Sequence, residues 1–212
     1  GVNANAVKEL IIQNLFRCLR PLNGAVQMMQ QLKVAPGEDL QAAAEAKRGD
    51  FIGEELYGRT LGILGLGTIG QRLADACYHM GMQIIGYNRS FKNLRHVQQL
   101  DTIDEVLEQA DFVVILLPLT DQTNQLLSTK QFEMMKDSAY LLNFGRGEIV
   151  DNQAVVSALN HNEFAGYVCD FPKTELQDHP KITLLPHLGG NTIEALTHSA
   201  NLILQNLLDF LE

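Results

Sequence analysis

With 212 residues, 46% of them hydrophobic and 19% charged, the chain is long enough to bury a substantial core and has the composition of an ordinary globular domain. Its formal net charge of −9, with no Lys/Arg-rich block to offset it, opposes a phosphate backbone and excludes nucleic acid as an expected partner. The apolar runs are too short to span a bilayer, and Lys8 and Glu9 interrupt the place where a leader needs an apolar core, so no membrane partner and a cytoplasmic location are expected.

In chain order, Val7, Leu10, Ile11, Leu15 and Leu19 recur at helical spacing behind Asn3 and Asn5, either of which can cap a helix. Pro21 and Asn23 mark a turn, and residues 24–47 read as a second, more polar helical stretch broken near Pro36 and Gly37. An apolar strand over 61–64, a glycine turn, a helix over 68–80 and a strand over 83–87 then make one βαβ unit. The alternation continues with a helix at 103–109, a strand at 112–117, a helix near 130–135 and a strand at 139–144. It ends with a helix at 152–159, short strands at 167–170 and 183–185, and a final helix capped near Asn191 and Thr192. That helix carries Leu196, Ile203, Leu204, Leu207, Leu208 and Leu211 as an apolar stripe that must pack on something. Strands that are apolar throughout are buried on both faces, so the expected fold is α/β: a doubly wound parallel sheet of six or seven strands, Rossmann-like, with a long helix at each end.

The glycine turn is Gly65-Leu66-Gly67-Thr68-Ile69-Gly70, a G-x-G-x-x-G between a strand and a helix. Gly65 permits the tight turn, Gly67 lets a pyrophosphate approach the backbone, Gly70 lets the helix pack on the strand, and Thr68 and Ile69 open that helix. Taken alone the motif also fits a plain glycine-rich βα turn.

In an open α/β sheet ligands sit beyond the carboxyl ends of the strands. Three polar clusters follow strands there: Asn143-Phe144-Gly145-Arg146-Gly147, Asp170-Phe171-Pro172-Lys173-Thr174-Glu175, and Pro186-His187-Leu188-Gly189-Gly190. An arginine holds a carboxylate through two parallel charge-assisted bonds, and a histidine exchanges a proton near neutral pH. Read alone, Arg146 is equally a surface ion-pair residue and His187 a turn residue. The odd, scattered Cys18, Cys77 and Cys169 in apolar surroundings read as reduced thiols, and no metal site is expected.

The glycine turn, the stretch from Asn143 through Val150-Asp151 and the stretch from Pro186 to Thr192 together resemble the D-isomer-specific 2-hydroxyacid dehydrogenases. Residues 3–9 and 167–172 make the chain most similar to the phosphoglycerate dehydrogenase branch. The resemblance implies that Arg146 grips the substrate carboxylate, that His187 is the acid/base, and that Glu175, five positions after Asp170, pairs with that histidine. It places Asn3 near the substrate, and Leu117, Pro118, Thr123, Phe144, Asp170, His187 and Gly190 along the cofactor. It implies hydride exchange between NAD or NADP and a small 2-hydroxy acid, 3-phosphoglycerate of serine biosynthesis first, with glyoxylate or hydroxypyruvate as the alternative. A dinucleotide-sensing scaffold like the dehydrogenase-related corepressors is the reading from another class. The resemblance also implies a nucleotide unit at about 58–190 in a domain spanning 1–212, whose end helices lead as hinges to a substrate domain absent from this chain. It further implies a homodimer through the 24–47 stretch. The second strand ends in Asn88-Arg89-Ser90 where an NAD-preferring fold carries an acid, so the repulsion of a 2′-phosphate is gone and Arg89, Ser90 and Lys92 stand where they can bind one.

Overall fold

The computed structural model describes residues 2–211, the side chain of Leu211 excepted. Runs of Val, Ile and Leu without polar alternation form strands covered on both faces, because each side chain direction then finds an apolar layer. Within the described residues the strands are β1 (Thr60–Leu64), β2 (Gln83–Tyr87), β3 (Gln98–Gln99), β4 (Phe112–Ile115), β5 (Tyr140–Asn143), β6 (Gly166–Cys169) and β7 (Ile182–Leu184). They pair in the order β3-β2-β1-β4-β5-β6-β7, every pairing parallel. Gly62 of β1 sits between Ile85 of β2 and Val113 of β4, so the winding direction reverses between β1 and β4. That boundary is the topological switch point, where a ligand crevice opens.

The helices are α1 (Ala4–Leu19), α2 (Leu22–Gln31), α3 (Leu40–Glu45), α4 (Thr68–His79), α5 (Ile103–Gln109), α6 (Thr129–Phe132), α7 (Asn152–Asn160) and α8 (Ile193–Leu211). On one face of the sheet, Val7, Ile11, Leu15 and Leu19 of α1 join Leu73 and Cys77 of α4 over Leu61, Ile63, Phe112 and Val114. On the other face, Val106 and Leu107 of α5, Phe132 of α6, and Val155 and Leu159 of α7 cover Val113, Ile115 and Leu141. The expected doubly wound architecture is therefore present. Local side-chain bonds start three of the helices, the last of them at the cap expected near Asn191 and Thr192, whereas Asn3 makes no side-chain capping bond at α1. Thr102 and Glu105 form a capping box at α5, the Asp151 carboxylate accepts the Gln153 and Ala154 amides at α7, and Thr192 accepts that of Ala195 at α8.

The break expected near Pro36 and Gly37 is present, and two local features differ from the sequence reading. The 24–47 stretch is two separate helices, α2 and α3, linked through Gly37 in the left-handed region at φ 92° and followed by a single 3₁₀ turn at Arg48–Phe51. The two-residue β3, Gln98–Gln99, has no apolar pattern to announce it and pairs only with Ile85 and Gly86. The apolar stripe of α8 is largely exposed among the described residues: Leu207 is 53% and Ile203 67% exposed, and of this helix's apolar side chains the small Ala195 is buried. Among the described residues no helix is long and apolar enough to cross a membrane.

Because α1 supplies fully buried side chains to the same core as β1 and β4, Ile11→Ala is expected to destabilise the domain by about 2–5 kcal/mol in urea unfolding. A loss below about 1 kcal/mol would place α1 outside the cooperative unit.

Candidate active site

The glycine turn has the backbone geometry its spacing implies. Gly65 leaves β1 at φ 109°, and a Cβ there would stand 2.9 Å from the Leu116 carbonyl group at the exit of β4. A Cβ on Gly70 would stand 2.3 Å from the Gly65 oxygen, so only glycine lets α4 lie this close to the turn. At Gly67 a Cβ would meet nothing within 4 Å: the turn is open there, on the side where an anion approaches. The first helical amide to be used is that of Gln71, donating to the Gly67 oxygen at 2.9 Å. The amides of Thr68, Ile69 and Gly70 at the positive end of α4 donate to no acceptor among the described residues. These features fit a dinucleotide pyrophosphate.

Beyond β2, the Asn88 side chain ties two loops together. Its Oδ1 accepts the Leu66 amide of the glycine turn at 3.2 Å, and its Nδ2 donates to the Ser90 carbonyl at 2.9 Å and hydroxyl at 3.2 Å. Arg89 and Ser90 are exposed beside it. Beyond β4, the Thr123 hydroxyl donates to the Pro118 carbonyl at 2.7 Å and accepts the Thr120 amide at 2.8 Å, closing the turn that follows Leu117.

Beyond β5, Asn143 is fully buried and uses its amide on the loop it precedes. Its Oδ1 accepts the Gly145 amide at 3.1 Å and its Nδ2 donates to the Arg146 carbonyl at 2.9 Å. Burial, and then Cys169 nearby, raise the Tyr167 phenol well above its ordinary value, so the hydroxyl 3.4 Å from Asn143 stays neutral. Arg146 projects exposed from this anchored backbone, with one guanidinium nitrogen donating to the Gly145 carbonyl at 2.7 Å and no ion pair among the described residues. Phe144 turns its ring into the core, so it offers a ligand only backbone.

Beyond β6 and β7 the anchor is Asp170, 2% exposed, whose two carboxylate oxygens accept the amides of Leu188 at 2.7 Å and Gly189 at 2.8 Å. That clamp fixes the turn bearing His187, which is exposed, held at φ 58° and packed edge-on against Phe171 with ring centroids 5.0 Å apart. Asn3 meets the same turn: a Cβ on Gly190 would lie 3.2 Å from the Asn3 amide nitrogen.

The chain matches the D-isomer specific 2-hydroxyacid dehydrogenase, NAD binding domain, over residues 15–189. It belongs to this family. It is 35% identical over 169 residues to a glyoxylate reductase of Pyrococcus furiosus, covering 76% of this chain and 50% of that protein. It is 34% identical over 182 residues to a D-3-phosphoglycerate dehydrogenase of Methanocaldococcus jannaschii, covering 79% of this chain and 35% of that protein. The chain thus spans half or less of the length of these curated relatives. Its fold is also similar to an acyclic imino acid reductase solved with NADPH and D-Arg, with TM-score 0.83, 27% identity and coverage of 100% of this chain and 66% of that one.

In this dehydrogenase-family domain the residues singled out in sequence gather at one edge of the sheet, with one exception to the expected pairing. Among the described residues no hydrogen bond or ion pair joins Glu175 to His187. Glu175 sits exposed on the 3₁₀ turn Thr174–Leu176, which the buried Leu176 anchors beside α7, and accepts Asn152 Nδ2 at 3.1 Å. Hydrogen bonds from its own backbone amide and from Asn152 hold its carboxyl below the usual carboxylate range. Sequence reasoning left Asn143 and Gln71 without a role. Gln71 donates to the Leu66 carbonyl at 3.0 Å and closes the glycine turn from α4. The signal available for Asn143 was a polar residue ending an otherwise apolar strand.

Since Asp170 alone accepts both amides, Asp170→Ala should raise hydrogen exchange at Leu188 and Gly189 by about 10- to 100-fold, as expected for bonds to a charged acceptor. Exchange unchanged from the parent would show the turn to be held by other contacts.

Proposed function

We propose that this chain is the dinucleotide-binding part of an oxidoreductase that passes a hydride between a nicotinamide dinucleotide and C2 of a D-2-hydroxy or 2-keto acid. The observation that carries this is the meeting of three anchored backbones at one sheet edge: the open glycine turn, the Asn143-held loop presenting Arg146, and the Asp170-held turn presenting His187. The dinucleotide, held by the glycine turn, the 88–90 loop and the backbone after β4 and β5, supplies or accepts the hydride. Arg146 orients the acid by its carboxylate, a planar fork meeting a planar anion. His187 takes the hydroxyl proton in oxidation and returns it in reduction. Glu175 acts on His187 only after the 173–176 turn gives up its bond to Asn152, which supports a closing movement when substrate binds.

The substrate we propose is 3-phosphoglycerate, supported by the likeness of residues 3–9 and 167–172 to that branch; the 35% identity to a glyoxylate reductase supports glyoxylate or hydroxypyruvate as the second reading. The cofactor we propose to be accepted is NADP(H) as well as NAD(H), because Asn88 stands in place of an acid and spends its amide on Leu66 and Ser90. The exposed apolar stripe of α8 supports a companion domain outside residues 1–212. The exposed Leu22, Val26 and Met29 of α2, with Leu40 of α3, support pairing with a second copy.

Steady-state assays of the full-length protein with 3-phosphoglycerate, hydroxypyruvate and glyoxylate test the reading. His187→Ala should lower kcat by about 10²- to 10⁴-fold while leaving cofactor affinity unchanged, and Arg146→Ala should weaken both substrate binding and turnover. Turnover of no acid would favour a dinucleotide-sensing scaffold, and an unaltered kcat in the histidine variant would remove His187 from the mechanism.

A further inference from the structure

The edge strand β3 is two glutamines long, and its second residue does something no strand residue needs to do. The Gln99 side chain reaches back over the segment that leaves β2. Its Nε2 donates to the Asn88 carbonyl at 3.1 Å and the Ser90 carbonyl at 3.3 Å, and its Oε1 accepts the Lys92 amide at 2.8 Å. Resting on the dinucleotide reading above, we propose that Gln99 is the positioning residue for cofactor choice: it holds residues 88–92 in the shape that receives the 2′-phosphate of NADP(H).

The orientation of the captured groups supports this. An anion is repelled by carbonyl oxygens and drawn by amide and hydroxyl protons. By taking the two carbonyls, Gln99 turns their negative ends toward itself. The amides of Arg89 and Ser90 donate to no acceptor among the described residues. The Ser90 hydroxyl oxygen accepts from Asn88, so its own proton remains for another partner. The side chains of Arg89 and Lys92 are exposed, and neither forms an ion pair among the described residues. Two cations, a hydroxyl and two backbone amides thus lie in one five-residue segment of an acidic chain. The segment is tied at one end to the glycine turn through Asn88 and Leu66, and along its length to β3 through Gln99. A pre-ordered anion site of this kind loses affinity when its support is cut, even though no residue that touches the ligand has changed. The 2′-hydroxyl of NAD(H) asks far less of the segment, so its binding should be nearly indifferent to Gln99.

The test is calorimetric titration of this 212-residue chain with NADPH and NADH, for the parent, Gln99→Met, Gln99→Glu and Arg89→Ala, with thermal melts alongside. Methionine matches the length of glutamine and removes all three bonds; glutamate keeps the acceptor for Lys92 but loses both donors and adds a negative charge. Gln99→Met should weaken NADPH by about tenfold or more, change NADH by less than about threefold, and leave the melting midpoint within about 2 °C of the parent, and Arg89→Ala should weaken NADPH by about tenfold or more. Gln99→Glu should cost NADPH more than Gln99→Met does. Equal weakening of both cofactors by Gln99→Met, or no change in either, overturns the role of Gln99 while Arg89→Ala still tests the 2′-phosphate site itself. NADPH affinity that is insensitive to Arg89→Ala, with NADH bound more than about tenfold tighter by the parent, overturns both the NADP(H) reading and the inference built on it.

Discussion

The structure depends on how little room there is where β1 and β4 leave the sheet side by side and wind in opposite directions. Three strand exits meet there through backbone alone. A side chain on Gly65 would strike the Leu116 carbonyl group, one on Gly70 the Gly65 oxygen, and one on Gly145 the Leu117 oxygen at 2.8 Å. Any Cβ in this knot would push α4 off β1 or the loop after β5 away from β4. Either shift would carry the free amides at the start of α4, or the base of the Arg146 loop, out of line with the crevice. The switch point is therefore both a packing constraint and the reason a long, flexible ligand has one edge to lie along.

Around that knot the fold buries two polar side chains, Asn143 and Asp170, and gives both their bonds. Asn143 and Asp170 are almost without exposure, and a buried polar or charged group is costly unless its bonds are made. Asn143 makes them to an amide and a carbonyl of the loop that follows β5, Asp170 to two amides of the turn that follows β7, and the same bonds hold those segments still. The consequence is a division of labour. The side chains we propose meet a ligand, Arg146 and His187, stand exposed, while the groups that hold their backbone are inside. Asn88 and Gln99 repeat the arrangement at the far side of the crevice, nearer to solvent. His187 sits in the left-handed region, a conformation that a non-glycine residue keeps only when its surroundings hold it, and the Asp170 clamp supplies that hold.

Much of this was legible in the residues. Uniformly apolar strands, helical spacing at Val7, Ile11 and Leu15, and the cap at Thr192 are local signals, set by which conformation buries or satisfies a short stretch. They suffice for a doubly wound sheet and for its order of elements. The glycine turn is legible for the same reason: positive φ and close approach are properties of single positions. So is the placement of Arg146 and His187 just beyond strands, because a parallel sheet sends all its strand ends to one edge.

The rest rests on partners far apart in the chain. β3 is two polar residues whose strand exists only because β2 lies beside it. Asp170 reads as a loop carboxylate until folding brings the amides of Leu188 and Gly189 to it, and Asn143 reads as the end of a strand until the chain turns back beneath it. Glu175 stands at the spacing of a histidine partner, yet Leu176, buried beside α7, turns it to Asn152. The stripe on α8 was legible as apolar, but whether it is covered depends on what else is folded against it, and here Leu196, Ile203, Leu204, Leu207 and Leu208 are exposed. Residue type and spacing decided which groups are available at the crevice; long-range hydrogen bonds and packing decided which of them are tied to each other, because those contacts form only between segments that the fold has already brought together.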